Sequence, residues 1–220
     1  MRVLLTDHFV PATSASDRYG RLLAGGLHRA GHDVRMLVVA DRPQPAEPFS
    51  QRVVVCRAND PTADLPFGLP SFQADSPAAL SYLDLSTDQL AAYREELRRQ
   101  LDLEVAEFDP QIIHVQHIWI EGQLALETGV PYVLTGWEPE LECRAADPRY
   151  RDLVDQAAEN ASRIVVASES LAGQIAAKFE SIADRIVVVP EIVAKEGYGA
   201  SDVLAGIYRD AFQQRFGRTP

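Results

Sequence analysis

RIVVASESLAGQIAAKFESIADRIVVV, residues 163–189, holds two apolar runs, RIVVA at 163–167 and RIVVV at 185–189, on either side of a helical stretch at 169–179. Unbroken Val/Ile runs without polar alternation belong to strands covered on both faces. Parallel strands need such a crossover helix between them. Upstream, PYVLT at 131–135 and QIIHVQH at 111–117 read as strands, with helices near 120–128 and at 148–161 between the runs. RVLLT at 2–6, DVRMLVVA at 33–40 and QRVVVCR at 51–57 are three further strands. Tyr19, Leu22, Leu23 and Leu27 mark a helix over about 16–30, with Gly31 as its cap. Ser86 and Gln89 form a capping box that opens a helix carrying Leu90, Tyr93, Leu97, Leu101 and Phe108, and Asp109-Pro110 ends it. The intervening 58–85 contains Pro61, Pro66, Pro70 and Pro77 and reads as irregular.

Seven strands alternating with helices predict one doubly wound, Rossmann-like α/β domain over residues 1–193, with helices on both faces of a parallel sheet. AKEGYGA at 194–200 reads as a linker. The last segment, 201–220, holds a helix at 201–216 with Leu204, Ile207, Tyr208, Ala211 and Phe216 as its apolar stripe, expected to pack back on the domain.

Composition narrows the function. Of 220 residues, 21 are Lys or Arg and 32 are Asp or Glu, a net charge of −11 that repels nucleic acid and anionic lipid. No apolar run reaches the length of a membrane span, and two distant cysteines, Cys56 and Cys143, suit a reducing compartment. The expectation is a cytoplasmic protein without membrane insertion.

In an open parallel sheet, ligands bind beyond the carboxyl ends of the strands, near the switch in strand order. The residues there are Asp7 and His8 after the first strand, His117, Trp119 and Glu121 after the fourth, and Trp137, Glu138, Glu140 and Glu142 after the fifth. Ser168 follows the sixth and Glu191 the seventh. No G-x-G-x-x-G or G-x-x-x-x-G-K-[ST] is present, so no nucleotide cofactor is expected. Ser14 and Ser16 in PATSAS either meet an anion at the helix start or cap the helix. His114 and His117, with Glu121, suggest a metal, but strand residues three apart face opposite ways, so no metal is expected. His114 is the buried member of the pair and His117 the one in the cleft. His8, His117 and Glu138 are the candidate acid–base residues. The candidate substrate contacts are Asp7, Ser14, Ser16, Trp119, Trp137, Glu140, Ser168 and Glu191. Trp137 either stacks on a ligand or fills space, and the three glutamates at 138, 140 and 142 are either a polar site or a solvated loop.

The order of the runs resembles the N-terminal half of family 4, GT-B fold, retaining glycosyltransferases. MRVLLTDHFVP with LAGGLHRAGHDVRMLVV is similar to that family's opening strand, helix and second strand, and FDPQIIHVQHIW to its PDxIHxxH strand. GVPYVLT, ADPRYRDLVDQAAENASRIVVASESLA and LPSFQADSPAALSYLDLSTDQLAAYREEL extend the likeness over about residues 1–193. Three departures stand out. The family's Gly-Gly after the first strand is Ala12-Thr13-Ser14-Ala15, its T-x-H-G is Thr135-Gly136-Trp137-Glu138, and its P-N-G-V-D is Pro190-Glu191-Ile192-Val193-Ala194. No segment resembles the donor-binding second domain with its E-x7-E motif, while 201–216 resembles the helix that returns from it. The resemblance implies an acceptor-side lobe whose donor lobe was deleted near 194–200. Three functions follow from it: half of a split glycosyltransferase acting with a partner chain, a non-catalytic regulator, or a stand-alone enzyme acting on a small sugar-like substrate. The partner is another protein chain or a second copy in a homodimer, and the small-molecule ligand a sugar acceptor.

Overall fold

The computed structural model describes residues 1–9, 15–72, 79–190 and 198–220. Seven parallel strands form the main sheet: β1 (Arg2–Phe9), β2 (Asp33–Ala40), β3 (Ser50–Val55), β6 (Ile112–Val115), β7 (Tyr132–Thr135), β8 (Arg163–Val166) and β9 (Ile186–Val188). Their spatial order is β3-β2-β1-β6-β7-β8-β9. The chain therefore builds outward from β1 in one direction, returns, and builds from β6 in the other. With right-handed crossovers, that reversal puts the helices of the two halves on opposite faces.

One face carries α2 (Thr87–Phe108), α3 (Ile120–Thr128), α5 (Pro148–Asn160) and α6 (Glu169–Lys178). The other carries α1 (Ala15–Arg29) and α7 (Tyr198–Phe216). Strand parity sorts the core accordingly. Leu4 packs with Leu101, Phe108, Val154 and Ile175 on the first face, while Val3 and Leu5 pack with Leu23, Leu27, Leu204 and Tyr208 on the second. The capping box at Ser86 forms as its sequence predicts: the Ser86 hydroxyl accepts from the Gln89 N–H at 3.1 Å and Gln89 Oε1 accepts from the Ser86 N–H at 2.9 Å.

Three segments differ from the sequence reading. Residues 58–85, read as irregular, contain a small parallel pair, β4 (Leu69–Ser71) and β5 (Ala79–Ser81), and a 3-10 turn at Tyr82–Asp84. Prolines break helices but tolerate short edge strands, and Pro70 lies within β4. The glutamate-rich loop is in fact a helix, α4 (Glu138–Ala146), with Pro139 in its first turn, where a missing N–H costs nothing. Residues 198–200, read as linker, belong to α7.

Helix α7 lies against α1, β6 and β7. Leu204, Ala205, Tyr208, Ala211 and Phe212 are its buried residues among those described, whereas Phe216 is 47% exposed. Residues 204, 208, 211 and 212 keep one face of the helix toward the sheet, and Phe216 sits in its final turn beside Phe212. The helix is anchored at a buried polar point. His114 Nδ1 meets the Tyr208 hydroxyl at 2.5 Å, and His114 Nε2 meets Thr135 Oγ1 at 2.8 Å. Burial pushes the His114 imidazole down to about 3, so it stays neutral inside the fold. No helix among the described residues is long and apolar enough to cross a membrane.

Candidate functional site

The direction of sheet growth reverses at the seam between β1 and β6, and an open α/β sheet leaves its ligand crevice there. Pairing continues one residue past β6, where the Gln116 N–H donates to Thr6 O at 3.1 Å. The chain then leaves the sheet through His117, Ile118 and Trp119 into α3.

Glu140 organises this exit. It is fully buried at the third position of α4. Its Oε1 accepts from His117 Nδ1 at 2.7 Å and from the Ile118 N–H at 3.1 Å, and its Oε2 accepts from the Trp137 N–H at 2.8 Å. One carboxyl group thus ties the end of β6 to the end of β7 while satisfying an orphan donor at the start of its own helix. Trp137 adds a second tie, its indole N–H donating to Gln116 O at 2.8 Å. Burial pushes the Glu140 carboxyl well up and the His117 imidazole down to about 3. Desolvation therefore works against separate charges on the pair and favours a neutral imidazole held through Nδ1.

The two histidines part company as strand parity requires. His114 faces Tyr208 of α7, while His117 faces Glu140 and Phe72, whose ring centroid is 5.2 Å away. Among the described residues no group of three or more His, Cys, Asp or Glu could hold a metal.

Glu121, in the first turn of α3, is 5% exposed. Its Oε1 accepts from the Tyr93 hydroxyl at 3.3 Å, Tyr93 in turn meets the Tyr82 hydroxyl at 3.2 Å, and Oε2 has no hydrogen-bond partner among the described residues. Burial, with the nearby Glu140 adding to it, pushes its carboxyl up to about 7.

Asp7 lies in β1 with its carboxylate against Gly20 of α1. A Cβ built on Gly20 would lie 2.1 Å from Asp7 Oδ2 and 3.7 Å from Gln116 Cγ. Gly20 is what lets the helix approach the site this closely. We expect Gly20→Ala to displace the Asp7 carboxylate and lower stability by about 1–3 kcal/mol, read by chemical denaturation. An unchanged midpoint would show that the carboxylate swings away freely.

The remaining residues singled out from sequence fall into three groups. Trp137 is half-buried, its ring 6.1 Å from Tyr19 and 6.4 Å from His117. Trp119 is a correction: it is fully buried, stacked on Tyr150 at 4.5 Å and against Phe72 and Tyr82, which makes it core rather than a ligand contact. A large ring at a strand end fills the angle between sheet and helices when its neighbours are aromatic too. Glu140 is a correction in the same sense, because its carboxyl is used up inside the fold.

Glu138 is exposed and stands apart from His117's partners. With Leu141, Glu142, Ala145, Gln174 and Lys178 it lines a hollow of about 420 Å³ between α4 and α6. The Ser168 hydroxyl caps α6, accepting from the Leu171 N–H at 3.2 Å. His8 lies in β1 opposite Val39, and Ser16 in α1, but their side chains lie outside the described residues, as do Ser14 and Glu191 altogether.

Sequence reasoning passed over Gln116. It is fully buried, and neither Oε1 nor Nε2 of its amide has a hydrogen-bond partner among the described residues; the same holds for Thr6 Oγ1, which points to the other face of the sheet. Each such atom costs about 1–3 kcal/mol, so a native fold keeps it for a reason. Parity held the signal: Gln116 is two residues beyond His114 and shares its face, a second polar residue on a run whose Ile112, Ile113 and Val115 are apolar.

A doubly wound parallel sheet with helices on both faces is a Rossmann-like α/β lobe, and known structures share that fold. Sucrose-phosphate synthase of Thermosynechococcus elongatus, in a chain designated 27_220_406_426, superposes with a TM-score of 0.57 at 15% identity over 96% of this chain and 99% of that one. The lipopolysaccharide outer core galactosyltransferase WaaB, in apo form, gives 0.51 at 11% identity over 86% of this chain and 45% of that one. UDP-GlcNAc 2-epimerase from Neisseria meningitidis bound to UDP-GlcNAc gives 0.53 at 12% identity over 99% and 54%. The chain spans about half the length of the last two. No curated protein matches it in sequence. The family's sequence model matches residues 15–191, and the chain belongs to the glycosyl transferase 4-like domain family. Its sheet is that of a single GT-B lobe.

Proposed function

We propose that this chain is the acceptor-side lobe of a glycosyltransferase whose donor-binding lobe is supplied by another chain. The observation that carries the proposal is the return of α7. Residues 189–197 alone separate β9 from a helix that packs back across α1, β6 and β7, so no second lobe is inserted where the lobe closes on itself. Read as two residue ranges, the designation of the sucrose-phosphate synthase chain describes a long segment joined to a short distal one, which is the arrangement of residues 2–189 followed by α7 here.

In this reading the crevice at the β1–β6 seam receives the acceptor. His117, fixed through Nδ1 by Glu140, presents Nε2 to the acceptor hydroxyl. As that oxygen bonds to the anomeric carbon and the sugar–phosphate bond breaks, its proton passes to the imidazole. The imidazolium that forms keeps its Nδ1–H on Glu140 Oε1, which holds the ring in place for the transfer. The half-buried Trp137 ring gives the sugar a platform. The donor diphosphate is bound on the partner chain, in keeping with the net charge of −11 here.

The test is purification of the tagged chain from its native host, followed by transfer assays with the chain that accompanies it. A stoichiometric companion that binds a nucleotide sugar, together with transfer that needs both chains, is the expected result. His117→Ala should lower transfer by the pair about 100-fold or more without weakening the complex. A regulator would show full transfer with His117→Ala. Micromolar nucleotide-sugar binding and turnover by the isolated chain would establish a stand-alone enzyme and overturn the proposal.

A further inference from the structure

Gln116 is the group at the seam that the fold does not use. Its main chain is fully engaged: the N–H bonds Thr6 O and the carbonyl receives the Trp137 indole. These two bonds fix the backbone on both sides of the side chain. The side chain lies beside Gly20, whose missing Cβ makes room for the neighbouring Asp7 carboxylate. The amide end offers one donor and one acceptor, both buried and both without a hydrogen-bond partner among the described residues. Thr6 Oγ1 is in the same state on the neighbouring strand.

An amide held this way complements a ligand edge that carries an acceptor and a donor side by side. Two vicinal hydroxyls of a sugar ring meet that need, one accepting from Nε2–H and the other donating to Oε1. The described side chains that meet on this face of the sheet are Asp7, Tyr19 and Trp137, which include a carboxylate and no Lys or Arg. Such a surround disfavours a phosphate on the bound ring. We infer that Gln116 is a specificity-determining residue of the crevice, reading a vicinal diol of an unphosphorylated sugar through both ends of its amide. The inference rests on the reading of this crevice as the acceptor subsite and extends it to a residue and a chemical class.

The test uses the full chain alone, so that it does not depend on any partner. Ligand-observed NMR and calorimetry with methyl α-glucopyranoside, N-acetylglucosamine and myo-inositol should find millimolar or tighter binding by at least one. For the ring that binds, the analogue lacking either hydroxyl of the recognised pair should bind at least tenfold more weakly, and its phosphorylated form no better than the neutral one.

Gln116→Met keeps the shape and removes both polar atoms. It should abolish the binding and, by deleting two unsatisfied groups, raise the melting temperature of the free protein by about 2–6 °C. That opposite movement of stability and binding is what a packing role would not produce. Gln116→Glu keeps an acceptor, loses the donor, and should bind at least tenfold more weakly. Binding retained by Gln116→Met, preference for the phosphorylated ring, or no binding of any neutral ring would each overturn the inference. The first two leave the split-transferase reading standing, and that reading is decided separately by the two-chain transfer assay.

Discussion

Glu140→Ala should lower the melting temperature by on the order of 10 °C and abolish transfer by the reconstituted pair. The wild-type carboxyl receives three buried N–H groups, from His117, Ile118 and Trp137, brought from the ends of two strands. Truncation leaves all three without an acceptor. At about 1–3 kcal/mol for each unsatisfied buried donor, less whatever water enters the space, the loss is about 3–6 kcal/mol. His117 also loses the contact that fixes its tautomer, so activity should fall even at temperatures where the variant is folded. Glu140→Gln retains one acceptor oxygen and places an NH2 where the other stood; it should lie between wild type and Ala in stability. Calorimetric scans of the three proteins give the comparison. A Glu140→Ala variant melting within 2 °C of wild type would mean that the seam does not depend on this carboxyl.

Glu121→Gln should become progressively more stable relative to wild type as pH rises from 4 to 8. In the unfolded chain a glutamate titrates near 4.5, and in the fold burial raises Glu121 to about 7. Between those values the folded state holds a proton that the unfolded state has lost, so raising the pH withdraws stability until the folded carboxyl ionises. The shift corresponds to about 3 kcal/mol, present in full below pH 4.5 and gone above about pH 7. Glutamine does not ionise, keeps the Tyr93 contact, and should remove this dependence. His114 and His117 act in the opposite direction, since their neutral folded forms resist protonation as pH falls below 6.5. They are common to both proteins and cancel in the difference. Denaturation curves for the two proteins at pH 5, 6, 7 and 8 provide the measurement, and parallel stability profiles would refute the buried-acid account.

The strands of the main sheet were legible because burial on both faces leaves a trace: runs such as RIVVV and DVRMLVVA are apolar over four or five consecutive residues, with their charged residues confined to the start of the run. The opposed faces of His114 and His117 followed from parity alone. Helix α4 was hidden because EPELECRAA combines proline with alternating acids, a pattern shared by solvated loops; what makes it a helix is the capping bond of Glu140 to the Trp137 N–H. Trp119 was misassigned for a related reason. Its position at a strand end is local information, but the Tyr150, Phe72 and Tyr82 rings that enclose it arrive from segments dozens of residues away.

What sequence alone determined is the layered α/β architecture and the seven strands of the main sheet, consequences of short-range periodicity and of hydrophobic burial. Only the tertiary structure decided which polar residues are spent on the fold and which are held in reserve. Glu140 and Gln116 are both polar residues near strand ends in the sequence, yet both oxygens of Glu140 accept hydrogen bonds while neither amide atom of Gln116 has a partner among the described residues. Hydrogen-bond satisfaction is set by groups distant in the chain, and no local pattern records it.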